Sequence, residues 1–351
     1  MPSEDFIPRS AMAGYPCPWL WEREGADWPL REASHRVRCA GLDWHVQRLG
    51  QGHGRSTVLL LHGTFSSTHS WRGLAPRLAA HYDVLMPDLP GHGWTFGASP
   101  EDMAMRAMSA KLLALLDALG VHPEWVIGHS AGAALAVSMA LLQHRGPAPP
   151  PREAWAPSGQ ERQHTRSADA DSFAEPAPGS PPATPAPAGP RLQRVVSLNG
   201  ALLPLAGLGG RIYAPAAQVL QRLPGLARLT AWGSARSDVV ARLLDNTGSR
   251  LAAQDIGWYQ RLATDAGHVA AVVEMMARWD LEGFAQHLPG YQDRLELVAG
   301  SRDATVPPSE LRRVLDLVPQ ARCRVLRDLG HLAHEEDPDT VGALLLELLA
   351  R

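Results

Sequence analysis

The chain has 351 residues, of which 45% are hydrophobic and 20% are charged, and its formal net charge is −3. These proportions are typical of a globular protein with a sizeable core, and they exclude a wholly disordered chain, a collagen and a coiled coil. The small negative charge argues against a dedicated nucleic-acid-binding protein, which usually carries a strong basic excess. By length alone, roughly two domains are expected.

The cysteines and the chain's apolar runs limit the cellular setting. Only Cys17, Cys39 and Cys323 occur, and their wide spacing predicts neither a disulfide framework nor a cysteine metal site. The first residues lack a basic and then apolar run, and no stretch of about 18 apolar residues could span a membrane. We therefore expect a cytoplasmic protein without a transmembrane segment, with peripheral membrane association as an open alternative.

Strand and helix signals alternate along most of the chain. Apolar runs that end at glycine, such as VLLLHG over 58–63, are typical of buried parallel strands. Strands are predicted over 36–39 and 44–48 (a hairpin that turns at Gly41), 58–62, 82–87, 124–127, 192–198, 295–299 and 322–326. Helices are predicted over 70–80, 100–119, 131–142, 308–317 and 338–349. The alternation predicts the α/β class, with a mostly parallel, doubly wound sheet.

Two stretches interrupt this alternation. Twelve of the 30 prolines fall within 147–190, so we predict a flexible insertion over 146–190. Padding without a function is the simpler interpretation, and a polyproline II docking site is the alternative. The stretch 201–290 is helix-like and too long for a loop, which predicts a helical cap. The domain prediction is thus an N-terminal arm over 1–35 and one core over 36–200 and 291–351, interrupted twice.

The segment Gly128-His129-Ser130-Ala131-Gly132 fits the pattern G-x-S-x-G. It follows a predicted strand and precedes a predicted helix, which is the setting of a nucleophile elbow. Such a turn is so tight that bulky residues on either side would clash, and its strain exposes the serine hydroxyl. The sequence therefore predicts that Ser130 is a nucleophile, with a merely tight turn as the alternative.

A serine nucleophile needs a base and an acid that orients the base. Asp303 follows the strand over 295–299, and His331 follows the strand over 322–326, so both are expected at the carboxyl edge of the sheet beside Ser130. Asn199 occupies the rival acid position but carries no charge. His334 is the alternative base, although packing behind His331 fits its position better.

Backbone N–H groups must also stabilise the oxyanion that forms on the substrate. The turn His62-Gly63-Thr64-Phe65 follows the first core strand, which predicts Thr64 and Ala131 as donors, with Phe65 as a possible second donor from the turn. Asp88 and His92 of the segment PDLPGHG are interpreted as a brace for the site. No metal or cofactor site is predicted, because no further spacing completes a ligand set.

Together, HGTFSS, PDLPGHG, GHSAG, the Asp303 loop and GHLAHEE resemble the α/β-hydrolase superfamily, from about residue 36 to the C-terminus. A closer resemblance, carried by DWPLREASHRV, GLDWHVQRLGQG, SLNGALLP, NTGSRL and GHVAAVVEMMARWDL, is to the magnesium-chelatase accessory proteins of bacteriochlorophyll biosynthesis. This resemblance implies an α/β-hydrolase fold with an inserted helical cap. It also implies a setting in photosynthesis, with chelatase subunits as partners, a tetrapyrrole as a possible ligand and the photosynthetic membrane nearby. No phosphate-binding loop is present, so the chain is not the chelatase motor.

A cap above Ser130 is expected to line the substrate site. Large apolar side chains there suit a hydrophobic or flat ligand. The candidates for this lining are Trp94, Tyr213, Trp232, Trp258, Met275, Met276 and Trp279. Packing inside the cap is the alternative for most of them.

Three functions remain open on the sequence. The first is a Ser-His-Asp hydrolase, acting on carboxylic esters and, by resemblance, as an accessory factor for magnesium chelation. The second is a non-catalytic protein that binds a porphyrin or chelatase subunits. The third is a carboxylesterase or C–C bond hydrolase without a link to pigment synthesis. Dehalogenase and epoxide hydrolase chemistry is disfavoured, because the elbow carries serine and not aspartate.

Overall fold

A computed structural model describes residues 20–52, 54–143, 192–204 and 237–351. Eight strands form one sheet in the order β1-β2-β4-β3-β5-β6-β7-β8. The strands are β1 Ser34–Cys39, β2 Leu42–Leu49, β3 Thr57–Leu61, β4 Asp83–Pro87, β5 Trp125–His129, β6 Arg194–Leu198, β7 Arg294–Gly300 and β8 Arg322–Leu326.

The sheet is antiparallel at one edge and parallel elsewhere. Strand β1 pairs with β2 and β2 with β4 in antiparallel register, while the five pairings from β4–β3 to β7–β8 are parallel. Ala40 and Gly41 make the tight β1–β2 turn with positive φ angles of 51° and 77°, as hairpin turns of two residues require. The predicted α/β class and mostly parallel sheet are confirmed.

Helices cover both faces of the sheet. In the part of the chain that the structure describes, the helices are α1 Trp21–Glu24, α2 Ala75–Ala79, α3 Met105–Leu119, α4 Ala131–Gln143, α5 Ser237–Asp245, α6 Ala253–Ala263, α7 Ala266–Arg278, α8 Leu281–Ala285, α9 Ser309–Leu317, α10 Ala333–Glu336 and α11 Pro338–Leu349. Alternate residues of β3 enter different cores: Leu59 and Leu61 pack with α3 and α4, whereas Val58 and Leu60 pack with α2 and α11. A strand buried on both faces explains the continuous apolar run in the sequence.

Between β6 and β7 the described residues form helices α5 to α8 and a 3₁₀ turn at Leu288–Gly290. The assignment of 201–290 as a cap, and the other domain boundaries, remain predictions. The insertion over 146–190, much of the arm over 1–35, and the lining candidates Tyr213 and Trp232 lie outside the described residues.

Two predicted helices are interrupted. The helix expected over 100–119 is a 3₁₀ turn, Pro100–Met103, followed by α3, with Ala104 extended at ψ 141° between them. At the break, the indole Nε1 of Trp279 donates to the Met103 carbonyl at 3.0 Å, so this carbonyl has a hydrogen-bond partner from a distant part of the chain. The helix expected over 70–80 is likewise a 3₁₀ turn, Thr68–Trp71, and a separate short α2.

The ends of the Pro-rich stretch meet at one point. The side-chain Oε1 of Gln143, at the end of α4, accepts a hydrogen bond from the Leu192 backbone N–H at 2.8 Å. Helix α4 begins directly after Ser130 and contains 13 residues, so this point lies about 20 Å along the helix from the elbow.

Helices in the described ranges are too short or too polar to cross a lipid bilayer.

Candidate active site

The elbow around Ser130 has the strained geometry that the motif predicts. Ser130 joins β5 to α4 with a φ of 52°, in the left-handed region that is costly for residues with a side chain. A Cβ atom on Gly128 would overlap the backbone of Gly132 and Ala133, and one on Gly132 would overlap the Leu61 carbonyl. Only glycine fits at these two positions, and the turn holds the Ser130 side chain partly exposed.

Ser130, His331 and Asp303 form a continuous hydrogen-bonded chain. The Nε2 atom of His331 lies 3.0 Å from Ser130 Oγ, and its Nδ1 atom lies 2.8 Å from Asp303 Oδ2. His331 is 6% exposed and Asp303 is 3% exposed. The carboxylate accepts only, so Nδ1 carries the imidazole proton and Nε2 presents its lone pair to the serine hydroxyl. This is the arrangement of a serine with a general base.

Four hydrogen bonds fix the Asp303 carboxylate. Its Oδ1 atom accepts the backbone N–H groups of Thr305 and Val306, each at 2.8 Å. Its Oδ2 atom accepts the Asn199 side-chain amide at 2.8 Å, in addition to His331. The sequence indicated only that uncharged Asn199 is not the acid, and it did not predict that the Asn199 amide donates to the Asp303 carboxylate. The position of Asn199 directly after β6, at the same edge of the sheet as Asp303, was the feature of the sequence from which this contact could have been predicted.

Two segments with backbone N–H groups lie next to the elbow. The Ala131 N–H starts helix α4, and Thr64 and Phe65 lie in the turn after β3, where Phe65 has a φ of 60°. A Cβ on Gly63 would come within 3.0 Å of Ser130 Cβ, which shows how closely this turn approaches the serine. Within the described residues, the N–H groups of Ala131, Thr64 and Phe65 have no hydrogen-bond acceptor. They are available to a substrate oxygen.

His129 and His334 lie behind the reactive groups. The Nε2 atom of His129 contacts the His331 carbonyl at 3.0 Å, and the two rings are 4.9 Å apart. His334 is fully buried and its Nε2 lies 2.8 Å from Ser70 Oγ. The Ser130 hydroxyl donates to His331 and not to His334, which packs behind His331 against His129.

Buried histidines near the site are held neutral. Burial, followed by the nearby Arg72 and His331, lowers the pKa of His334 to about 3. Burial, followed by His62, lowers the pKa of His92 to about 3 as well. A neutral imidazole in a dry interior avoids the large cost of desolvating a cation.

Acid is expected to destabilise the fold through these histidines. In the unfolded chain a histidine binds its proton near pH 6.5, whereas in the folded protein buried His334 binds a proton only near pH 3. The contribution of each such imidazole to the free energy of unfolding should therefore be constant above about pH 6.5. Between pH 6.5 and 3 it should fall by about 1.4 kcal/mol per pH unit. Urea unfolding at pH 7.5, 6 and 5 measures the slope, and His334→Gln should make it shallower. Identical slopes for the two proteins would contradict this explanation.

Asp88 and His92 belong to a structural brace. Asp88 is fully buried and accepts hydrogen bonds from the Thr68 N–H at 2.6 Å, the Trp94 N–H at 2.8 Å and His45 Nδ1 at 2.8 Å. Within the described ranges, no group of three histidine, cysteine, aspartate or glutamate side chains could hold a metal ion.

The lining candidates within the described residues have different surroundings. Trp94 is fully buried in an aromatic cluster with Trp28 and Trp21, and Trp258 packs at its edge. Met275 is 2% exposed in the main core, where Trp279 packs against it, and Met276 is partly exposed on the same helix. Trp94 and Met275 therefore have the buried packing that was the alternative to a substrate role, and a substrate role for the set remains a prediction.

Glu335 links the segment after β3 to helix α6, a role that the sequence did not predict. Its Oε1 accepts the Ser70 hydroxyl at 2.7 Å and also the Tyr259 hydroxyl, while its Oε2 accepts Arg72 Nη1 at 2.7 Å. Arg72 Nε also donates to Asp255 at 3.2 Å. Tyr259 and Asp255 both lie on α6, so a buried, paired carboxylate fastens α6 next to the His331 loop. In the sequence, only the two glutamates of GHLAHEE, directly after His334, indicated that a carboxylate lies near this loop.

Comparisons with known proteins identify the relatives of this chain. A family model described as the alpha/beta hydrolase fold matches residues 56–149. The magnesium-chelatase 30 kDa subunit of Rhodobacter capsulatus is 32% identical over 324 residues, which cover 92% of this chain and 97% of that protein. Lipase LipV of Mycobacterium tuberculosis is 39% identical over 102 residues, or 29% of this chain and 38% of the lipase.

The fold has solved counterparts. The enol-lactonase from Burkholderia xenovorans LB400 superposes with a TM-score of 0.62, covering 90% of this chain and all of that one. The sequence identity is 19%, so this similarity concerns the fold alone.

Proposed function

Because the chain belongs to the α/β-hydrolase superfamily, in the family of the magnesium-chelatase 30 kDa subunit, we propose that it is a serine hydrolase of carboxylic esters. One observation carries the proposal: the chain of hydrogen bonds from Ser130 through His331 to Asp303, with distances of 3.0 and 2.8 Å. Most of the similar proteins compared are hydrolases, such as the lipase, which supports the same class of reaction.

In the acylation step, Ser130 Oγ attacks the ester carbonyl carbon while His331 Nε2 takes the hydroxyl proton. Asp303 holds His331 in the tautomer that can accept this proton and stabilises the imidazolium. The carbonyl oxygen becomes negative and receives hydrogen bonds from the Ala131 N–H and the Thr64 or Phe65 N–H. The positive end of the α4 dipole lies at the same place and favours the charge.

The tetrahedral intermediate then collapses. The bond to the alcohol oxygen breaks, and His331 returns its proton to that oxygen, so a neutral alcohol leaves. Water, deprotonated by His331 in its turn, attacks the acyl-serine and releases the carboxylic acid. Each proton taken is given back, so Ser130 and His331 end in their starting states.

The relatives provide the setting of the proposal. The Rhodobacter capsulatus protein is named as a magnesium-chelatase subunit, and it matches this chain over nearly its whole length. We infer an accessory role in magnesium chelation for bacteriochlorophyll, with a hydrophobic ester of the tetrapyrrole class bound under a cap formed by 201–290. Chelatase subunits are the proposed partners, in the cytoplasm next to the photosynthetic membrane.

Asp303→Asn is expected to lower kcat for p-nitrophenyl acetate by about 10⁴-fold with little change in KM. Asparagine carries no charge that could stabilise the imidazolium. Its oxygen would take the place of Oδ1, which accepts two backbone N–H groups, so its NH2 group would face His331 Nδ1 and hold the imidazole in the wrong tautomer. The matched control is Asp328→Asn in the loop before His331, because Asp328 is exposed and its φ of 59° suits asparagine. Equal losses in both variants would contradict the role of Asp303.

A fluorophosphonate probe tests the nucleophile directly. The folded protein should carry an adduct on the peptide that contains Ser130, located by mass spectrometry after digestion, and esterase activity should disappear in step with this adduct. Folded protein that is never modified at Ser130 would refute the proposal.

A second candidate is a non-catalytic protein that binds a porphyrin or the chelatase subunits. The name of the Rhodobacter capsulatus relative favours it, because that name describes a subunit and no hydrolysis. Complementation of a deletion strain decides between the two. If Ser130→Ala restores pigment as well as the wild-type gene does, binding is the function, and if it fails while the folded protein accumulates, catalysis is needed.

A third candidate is a carboxylesterase or C–C bond hydrolase without a role in pigment synthesis. Its support is the partial match to lipase LipV, whose name describes hydrolysis and no pigment. A deletion strain with normal pigment content would favour it.

A further inference from the structure

A second serine, histidine and aspartate form a hydrogen-bonded chain outside the site of Ser130. The Oγ atom of Ser34 lies 3.0 Å from His45 Nε2, and His45 Nδ1 lies 2.8 Å from Asp88 Oδ2. Both distances equal those of the chain from Ser130 to Asp303. The same atoms are joined in the same order.

The β1–β2 hairpin brings the first two residues together. Ser34 pairs with Gln47 and Arg36 pairs with His45 in the antiparallel register. Since side chains alternate between the faces of a sheet, Ser34 and His45 are diagonal neighbours on one face. Asp88 follows β4, the next strand, and its backbone N–H donates to the His45 carbonyl at 2.9 Å. Strands β1 and β2 and the end of β4 therefore position the three side chains of this hydrogen-bonded chain.

The hydrogen bonds determine which atom carries each proton. Asp88 is buried, and although burial alone raises its pKa, His45 and the Trp94 N–H hold that pKa well below its usual range. An ionised Asp88 accepts from His45 Nδ1–H, which leaves the lone pair of Nε2 to accept the Ser34 hydroxyl proton. The Gln47 amide donates to Ser34 Oγ at 3.2 Å, so it occupies an acceptor lone pair of the hydroxyl and leaves the proton directed at His45.

The serine is the most exposed of the three residues, as it is in the site of Ser130. His45 is 1% exposed and Asp88 is fully buried, whereas Ser34 is partly exposed, as Ser130 is. A buried base and acid that are hydrogen-bonded to a partly exposed serine favour an activated nucleophile. We propose that Ser34 is a second reactive serine, activated by His45 and Asp88, and that it accepts acyl or phosphonyl groups from activated esters.

The reaction at Ser34 balances without any further reagent. Ser34 Oγ forms a bond to the acyl carbon or the phosphorus atom, and the bond from that atom to its leaving group breaks. The hydroxyl proton passes to His45 Nε2 and then to the leaving group or to water. Ser34 begins strand β1, whereas Ser130 directly precedes the N-terminus of helix α4, so Ser34 lacks the helix dipole that follows Ser130 in the chain. We therefore expect a lasting adduct and not rapid turnover.

Labelling in the absence of Ser130 tests this proposal. Ser130→Ala protein is incubated with a fluorophosphonate, which loses fluoride on reaction, and the modified peptides are quantified by mass spectrometry. The expected result is one principal adduct, on Ser34. In the double variant Ser130→Ala with His45→Gln, the rate of this adduct should fall on the order of 10²-fold, the usual contribution of a general base.

Two controls keep the experiment decisive. Ser309 is an exposed serine at the start of α9, and its labelling gives the background rate of an unactivated hydroxyl. His45→Gln with Ser130 intact should still be labelled at Ser130, which shows that the variant is folded. A rate at Ser34 no higher than at Ser309, or one unchanged by His45→Gln, would overturn the proposal. Labelling of Ser130 in the wild type reports separately on the proposed hydrolase function.

Discussion

Ser130→Ala is expected to lower kcat for ester hydrolysis by about 10⁴-fold or more, with the fold intact. The substitution removes the attacking oxygen and leaves His331 without the hydroxyl that lies 3.0 Å from its Nε2 atom. Alanine differs from serine only by the loss of the hydroxyl group, so its Cβ atom fits the same backbone turn. Steady-state hydrolysis of p-nitrophenyl acetate, with circular dichroism to monitor the fold, measures the effect.

Ser309→Ala provides the matched control for this substitution. It removes an exposed hydroxyl from the start of α9, so kcat and KM should stay at the wild-type values. If Ser130→Ala retains a comparable rate, another group performs the reaction and the assignment of Ser130 fails. A small residual rate above the uncatalysed one is expected, because the backbone N–H donors of the elbow remain.

Gly132→Ala is expected to lower the free energy of unfolding by about 3 kcal/mol, or to prevent folding. The new Cβ atom would overlap the Leu61 and His62 carbonyl oxygens, which belong to the backbone of the central strand and the turn after it. The Leu61 carbonyl cannot move without disturbing the pairing of β3 with β5, in which Leu61 lies opposite Gly128. Urea unfolding, followed by tryptophan fluorescence, measures the change.

Gly257→Ala is the same chemical change at an open position. Gly257 lies inside α6, and nothing lies within 4 Å of the place that a Cβ atom would take. Alanine should leave the free energy of unfolding unchanged or raise it by up to about 1 kcal/mol, because alanine favours helix more than glycine does. Equal destabilisation by the two substitutions would show that overlap at the elbow is not the cause.

The alternation of apolar strands and helices was sufficient to predict the fold class. Strand β8 and helix α11 have the predicted bounds, because Pro338 and the polar residues around them mark their ends. The break at Ala104 could not be predicted, since the indole that donates to the Met103 carbonyl there belongs to Trp279, 176 residues further along the chain. Pattern and propensity describe local preference, and a tertiary hydrogen bond can override them.

In the candidate site, too, some residues could be predicted from the sequence and others could not. Ser130, Asp303 and His331 follow strand ends, so their proximity could be predicted from topology. Asn199 and Glu335 act through side-chain hydrogen bonds across the fold, which no local motif encodes. The Ser34–His45 contact depends on the register of one hairpin, and a shift of one residue would separate the two side chains.

The hydrogen bond between Gln143 and Leu192 has a practical consequence. Residues 144–191 leave and re-enter the described fold at one place, far along α4 from the elbow. A fluorescent domain could therefore replace them, since its termini are also close together and such exchanges succeed where chain ends meet. We expect the chimaera to hydrolyse esters with the wild-type kcat, and its brightness would report the amount of folded enzyme in a cell.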